Sequence, residues 1–214
     1  MAPSAPSATI RTQVMLPLRF ADGYATDARV FTFDGLVDDG EHLAFALGDL
    51  TARLPLIRAH SECLTGDVFG SRRCDCGAQL REAVERIAEA GGYLLYLRQE
   101  GRGIGLYSKL EAYALQDTGV DTYEANLALG HREDERSYVA AAQMLHALGV
   151  SRVALLSNNP DKVQQLRSCG VTVAAQVPTG VHVSAENVRY LEAKARRGGH
   201  TLDLPSRRDQ VAGS

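Results

Sequence analysis

The spacing of apolar residues divides the chain in two. Up to about residue 57 they come as short runs and near-alternations, QVMLPLRF, ARVFTF, HLAFALG and RLPLI, broken by turn formers such as Ala21-Asp22-Gly23. Patterning of that length predicts β-strands in an antiparallel or mixed region. Beyond the next stretch the spacing becomes helical: Leu80, Val84, Ile87 and Ala88 predict a helix over 78–90, stopped by Gly91-Gly92. A strand over 93–97 follows, then the glycine-rich QEGRGIG and helices near 105–118 and 135–148. RVALLS reads as a strand, Asn158-Asn159-Pro160 opens a helix to about 168, VTVAA is a strand, and a last helix falls near 186–197. Strands alternating with helices of this length predict an α/β fold, a mixed β-sheet layer with flanking helices whose N-terminal part is mostly antiparallel.

No repeat or interdomain linker interrupts this pattern, so one domain is expected over 10–203. Residues 1–9, rich in Ala, Ser and Pro, read as a mobile tail, and 204–214 as a flexible C-terminal one. The composition, 45% apolar and 23% charged, is that of a globular protein with a hydrophobic core. There is no run of eighteen apolar residues and no positive segment leading into an apolar one at the N-terminus. A cytoplasmic protein without membrane contact is therefore expected. The formal charge of −3 speaks against bulk nucleic-acid binding, although local basic clusters could hold one small polyanion.

Chemistry concentrates in RAHSECLTGDVFGSRRCDCGAQL, residues 58–80, which holds Cys63, Cys74 and Cys76; the fourth cysteine, Cys169, lies far off and reads as a small buried hydrophobe. In a reducing compartment bunched thiols point to metal or catalysis before disulfides. Three thiolates suit a zinc ion whose fourth position is left for water, the layout of catalytic zinc. A structural Cys3His site completed by His60 or a distant histidine fits the spacing nearly as well.

Two strand-to-helix turns could meet an anion. QEGRGIGL offers backbone N–H groups at a helix start together with Arg102, and a plain tight turn is its competing explanation. Ser157-Asn158-Asn159-Pro160-Asp161-Lys162 has the same placement, and capping by itself accounts for Asn159 and Pro160. Asp134 and Arg136 precede a helix beginning near Ser137, where a solvated charge cluster is the ordinary reading.

Taken together, RAHSECLTGDVFGSRRCDCGAQL, LRQEGRGIGL, AYALQDTGVDTYEAN, DER, SNNPDK and NVRYLEAKARRGGHTL resemble GTP cyclohydrolase II of riboflavin biosynthesis, in order and spacing, over about residues 12–203. The resemblance implies zinc-assisted hydrolysis of GTP at C8 of guanine with loss of formate, and Mg2+-dependent loss of pyrophosphate. The product would be 2,5-diamino-6-(ribosylamino)pyrimidin-4-one 5′-phosphate. It implies Cys63, Cys74 and Cys76 as zinc ligands, with Arg58, Ala59, His60, Ser61, Glu62, Gln79, Glu100, Gly101, Arg102, Thr122, Ser157 and Lys162 contacting GTP. Tyr113 would lie near the reacting centre, Asp134 would accept a proton, and Arg136 would attack the α-phosphate. A homodimer is implied as well, and nothing before the tail reads as a fused synthase domain, so a monofunctional form is expected.

A guanidinium is always charged and a poor nucleophile, so an electrostatic clamp on the α-phosphate stands beside a covalent role for Arg136. A direct Asp134–Arg136 partnership requires that the segment not be helical, because i, i+2 positions on a helix face apart. Ser157 stands where the family commonly has Thr, Asp161 where a second Lys is frequent, Gln176 where Arg is common, and His131-Arg132 replace a more apolar pair. Two alternatives remain open: a paralogue that stops at the formylated pyrimidine or takes another purine triphosphate, and a non-catalytic zinc-stabilised nucleotide-binding module.

Overall fold

The computed structural model of the protein describes residues 8–132, 134–184, 187, 188 and 191, and for residues 122 and 123 the backbone alone. Among these residues a single mixed sheet of seven strands runs in the order β1-β2-β3-β5-β4-β6-β7. Strands β1 (Thr9–Arg19), β2 (Ala25–Asp34) and β3 (Leu43–Leu47) form an antiparallel meander that joins β5 (Gly92–Leu97), also antiparallel. From β5 onward the pairing is parallel, through β4 (Leu56–Ser61) and β6 (Arg152–Leu156) to β7 (Thr172–Val177). The chain is thus α/β with its antiparallel part N-terminal, as its patterning predicts. Pro17 is tolerated within β1 because that strand is the sheet edge.

Alternating side chains of the central strands feed two cores, one on each face. On one face Ile57, Ala59, Leu95, Leu97, Val153 and Leu155 pack with Met144 and Leu145 of α5 (Val139–Ala147) and Leu166 of α6 (Pro160–Ser168). On the other, Leu56, Leu94 and Leu156 pack with Ala83, Val84 and Ile87 of α2 (Cys76–Ala90). Burial on both faces is why these strands read as continuous apolar runs. Gly91 and Gly92 end α2 because nothing larger fits: a Cβ on Gly92 would lie 2.0 Å from the carbonyl oxygen of Leu56.

Several predicted boundaries move. The strand read in RLPLI continues through the polar-looking Arg58 and His60 to Ser61, since both side chains find partners inside the protein. The helix after Asp134 starts at Val139, leaving 134–138 without helical structure. The one-turn α1 (Leu64–Asp67) and α4 (Thr122–Ala128) are too short for a periodic signal. The helix expected near 186–197 lies outside the described residues, apart from 187, 188 and 191.

Candidate active site

The site forms where parallel strands deliver their carboxyl ends, the usual position for ligands in such sheets. Strand β4 ends at Ser61 and leads into Cys63 and α1, while Cys76 is the first residue of α2. Strand β5 leads into the turn Glu100–Gly103 and then α3 (Leu106–Asp117). In that turn Gly101, Arg102 and Gly103 all have positive φ, and Arg102, at 64°, holds a left-handed conformation that costs a non-glycine residue about 1–2 kcal/mol. The turn docks on the segment carrying Asp134 and Arg136, with Glu135 N donating to Arg102 O at 2.9 Å.

The ligand atoms of Cys63, Cys74 and Cys76 all lie within 4.8 Å of one another, with Cys63 Sγ 3.6 Å from Cys74 Sγ. Tetrahedral zinc with bonds of about 2.3 Å separates thiolates by roughly 3.8 Å, so the trio fits that ion. Among the described residues no histidine joins the cluster: His60 is buried and its Nε2 lies 3.1 Å from both oxygens of the equally buried Asp67. The same carboxylate accepts from Tyr96 OH at 2.9 Å and from Cys63 N at 3.0 Å, which anchors the first cysteine to the sheet. The three thiols share negative charge unequally. Hydrogen bonds from Cys74 and Cys76, then Lys109, hold Cys63 far below the usual thiol range, whereas Cys74 is pushed up to about 11 by its bond to Cys63.

One pocket collects Ser61, Glu62, the three cysteines, Glu100, Gly101, Arg102, Tyr113 and Arg136. Burial first of all pushes the Tyr113 phenol up to about 12, so it is protonated and a donor at neutral pH. Arg73 lies over its ring, 4.9 Å from the centroid, and pairs with Asp117 at 2.7 Å. Asp134 joins the pocket through Arg136, whose Nε donates to Oδ1 at 2.9 Å and whose Nη2 also meets Oδ2. The non-helical backbone at 134–138 is what permits this i, i+2 pair. Burial raises the pKa of Asp134, but the bonds and charge of Arg136 outweigh it and hold the carboxyl's pKa below its ordinary value.

Six other candidates do not line this pocket. Arg58 donates to Gln79 Oε1 at 2.7 Å and to Leu156 O, and Gln79 donates to Asp75 at 2.6 Å. Lys162 donates to Ala59 O at 2.8 Å, His60 is held by Asp67, and Ser157 Oγ accepts from Asn159 N at 3.0 Å. All six are buried. The side chain of Thr122 lies outside the described residues. Sequence reasoning missed Lys109, Gln116 and Asn126, which also line the pocket. A signal existed: Lys109, Ala112, Tyr113 and Gln116 follow the i, i+3, i+4, i+7 spacing of one helix face, directly after the glycine-rich turn.

Comparison with known proteins agrees with this geometry. The family model described as GTP cyclohydrolase II matches residues 12–178. A GTP cyclohydrolase-2 of Vibrio cholerae is 52% identical over 180 residues, 83% of this chain and 91% of that protein. One from Psychromonas ingrahamii is 46% identical over 198 residues, covering 92% and 98%. The riboflavin biosynthesis protein RibBA of Bacillus velezensis is 52% identical over 177 residues, which are 81% of this chain and 44% of that longer protein. With its thiol trio, its glycine-rich turn and Arg136 lining one pocket, the chain belongs to the GTP cyclohydrolase II family of enzymes.

Proposed function

We propose that the protein hydrolyses GTP at C8 of guanine, opening the imidazole ring and releasing formate and pyrophosphate. The product is 2,5-diamino-6-(ribosylamino)pyrimidin-4-one 5′-phosphate, the first intermediate of riboflavin biosynthesis. The observation that carries this reading is the one pocket in which three clustered thiols face Tyr113, Arg102 and Arg136. Cys63, Cys74 and Cys76 would hold zinc, which supplies the Lewis acidity that makes water reactive near neutral pH. Tyr113, protonated and half-buried beside the thiols, donates a hydrogen bond to the opened, formylated ring. Arg102 and Arg136, which line the same pocket, meet the triphosphate, whose outer phosphates bring Mg2+ with them.

Asp134 sets the plane of the Arg136 guanidinium and directs it to the α-phosphate. In that state Arg136 is a clamp. For it to attack phosphorus, Asp134 must first take a guanidinium proton, and its depressed pKa makes that step costly. A homodimer belongs to the same reading, because edge strand β1 exposes Val14, Met15 and Leu16. So does a cytoplasmic setting, where the cysteines stay reduced. The test is incubation with GTP, Zn2+ and Mg2+, followed by quantitation of formate, pyrophosphate and the pyrimidine. Equal yields of the three are expected; a product that keeps its formamide would refute the complete reaction.

A further inference from the structure

Lys109 lies on the pocket-facing stripe of α3, and its side chain is only 10% exposed. Its ammonium donates to Cys63 Sγ at 3.2 Å, to Thr65 Oγ1 at 3.0 Å and to Glu100 Oε1 at 2.7 Å. An ammonium has three N–H donors, and here all three are committed inside the protein. None is left for a phosphate, and none of the nitrogen's valence is open for attack on a substrate. Lys109 is therefore placed to act on the thiol and not on the nucleotide.

Glu100 is pinned in turn. Its Oε1 also accepts from Gly101 N at 2.8 Å, and its Oε2 accepts from Leu64 N at 2.6 Å, the amide next to Cys63. Both oxygens are occupied by protein donors, so this carboxylate fixes the ammonium relative to the sulfur. Thr65 closes the arrangement from α1, and its Oγ1 lies 3.8 Å from Cys63 Sγ.

We propose that Lys109, held by Glu100 and Thr65, is a positioning residue of the metal site: it hydrogen-bonds the Cys63 thiolate and weakens that sulfur's electron donation to the metal. The inference rests on the reading of the three cysteines as metal ligands. Three thiolates are a strongly donating set, which blunts the Lewis acidity that hydrolysis needs. A charge-assisted N–H to sulfur bond draws density from one of them, the way partners of ligating groups tune a metal. The same contact fixes the Cys63 side chain in the direction its two partner thiols require.

The experiment uses the full-length protein loaded with Co2+ in place of zinc, because sulfur-to-cobalt charge transfer reports how strongly each thiolate donates. In Lys109→Met the charge-transfer band moves to longer wavelength, while the d–d bands of a four-coordinate site persist. In Lys109→Arg, which keeps the cationic donor, the band stays near its native position. Turnover of Lys109→Met falls about 10- to 100-fold at saturating GTP, with KM little changed. An unshifted band in Lys109→Met overturns the proposal, and so does a Lys109→Arg band displaced as far as that of Lys109→Met. If Lys109→Met fails to fold or to bind cobalt, Glu100→Gln decides. Release of the ammonium then shifts the band the same way, and an unchanged spectrum sinks the idea. Absence of any sulfur-to-cobalt band in the native protein would instead remove the metal reading underneath.

Discussion

Gly66 is the point at which the smallest possible side chain tests the thiol site. It sits in α1 under the cysteines, and a Cβ there would lie 2.8 Å from Cys74 Sγ, 3.1 Å from Cys63 Sγ and 3.2 Å from Cys76 Cβ. Ordinary contact begins at 3.4 Å, so Gly66→Ala must push two sulfurs outward by roughly 0.6 and 0.3 Å. Metal sites tolerate deviations of only about 0.2 Å in ligand distance. Overpacking of this kind costs about 1–3 kcal/mol, and if the strain is relieved when the sulfurs spread, zinc affinity falls about 5- to 150-fold. Competition against a chromophoric chelator measures the loss. Gly70→Ala is the control: it has nothing within 4 Å among the described residues but a φ of +65°, so it costs about 1–2 kcal/mol of folding stability and leaves zinc affinity unchanged. The reasoning fails if Gly66→Ala holds zinc as tightly as the native protein, or if Gly70→Ala loses as much.

Three further outcomes are expected. Cys74→Ser removes a thiol from the trio and should abolish both stoichiometric zinc binding and pyrimidine formation; retained turnover would contradict the ligand assignment. Arg136→Ala should eliminate pyrophosphate release, measured by a coupled phosphate assay, and release near the native rate would reduce Arg136 to an accessory. His60 has its pKa lowered first by burial, so the folded protein resists the protonation that the unfolded chain accepts. Folding stability should therefore decline as pH drops below about 6.5. Urea midpoints across that range should fall less steeply for His60→Gln than for the native protein.

Much of the fold was legible because the signals are local. The runs around Leu94 and Leu155, the helical spacing through Ile87 and the paired glycines at 91–92 each specify an element without reference to the rest of the chain. Strand β4 was only half legible. Arg58 and His60 look like exposed polar positions, and their burial depends on Gln79 and Asp67, which come from other elements. The same limit explains why Lys109 was missed: a lysine on a helix reads as solvated until Cys63, Thr65 and Glu100 are seen to surround it.

By itself, then, the order of residues determined which chemistry the chain carries: three cysteines within one short stretch, a glycine-rich turn after an apolar strand, and Asp134 two residues from Arg136. These are properties of covalent spacing, which folding does not alter. Only the tertiary structure decided which of those groups share a pocket. Parallel pairing of β4, β5 and β6 sets their carboxyl ends side by side, and this brings Cys63, the Glu100–Gly103 turn and the 134–136 segment together across long sequence separations. It also turned Arg58, His60, Gln79, Ser157 and Lys162 inward, onto protein partners. A buried polar group must find its hydrogen bonds wherever the fold supplies them, and no local pattern records which distant residue that will be.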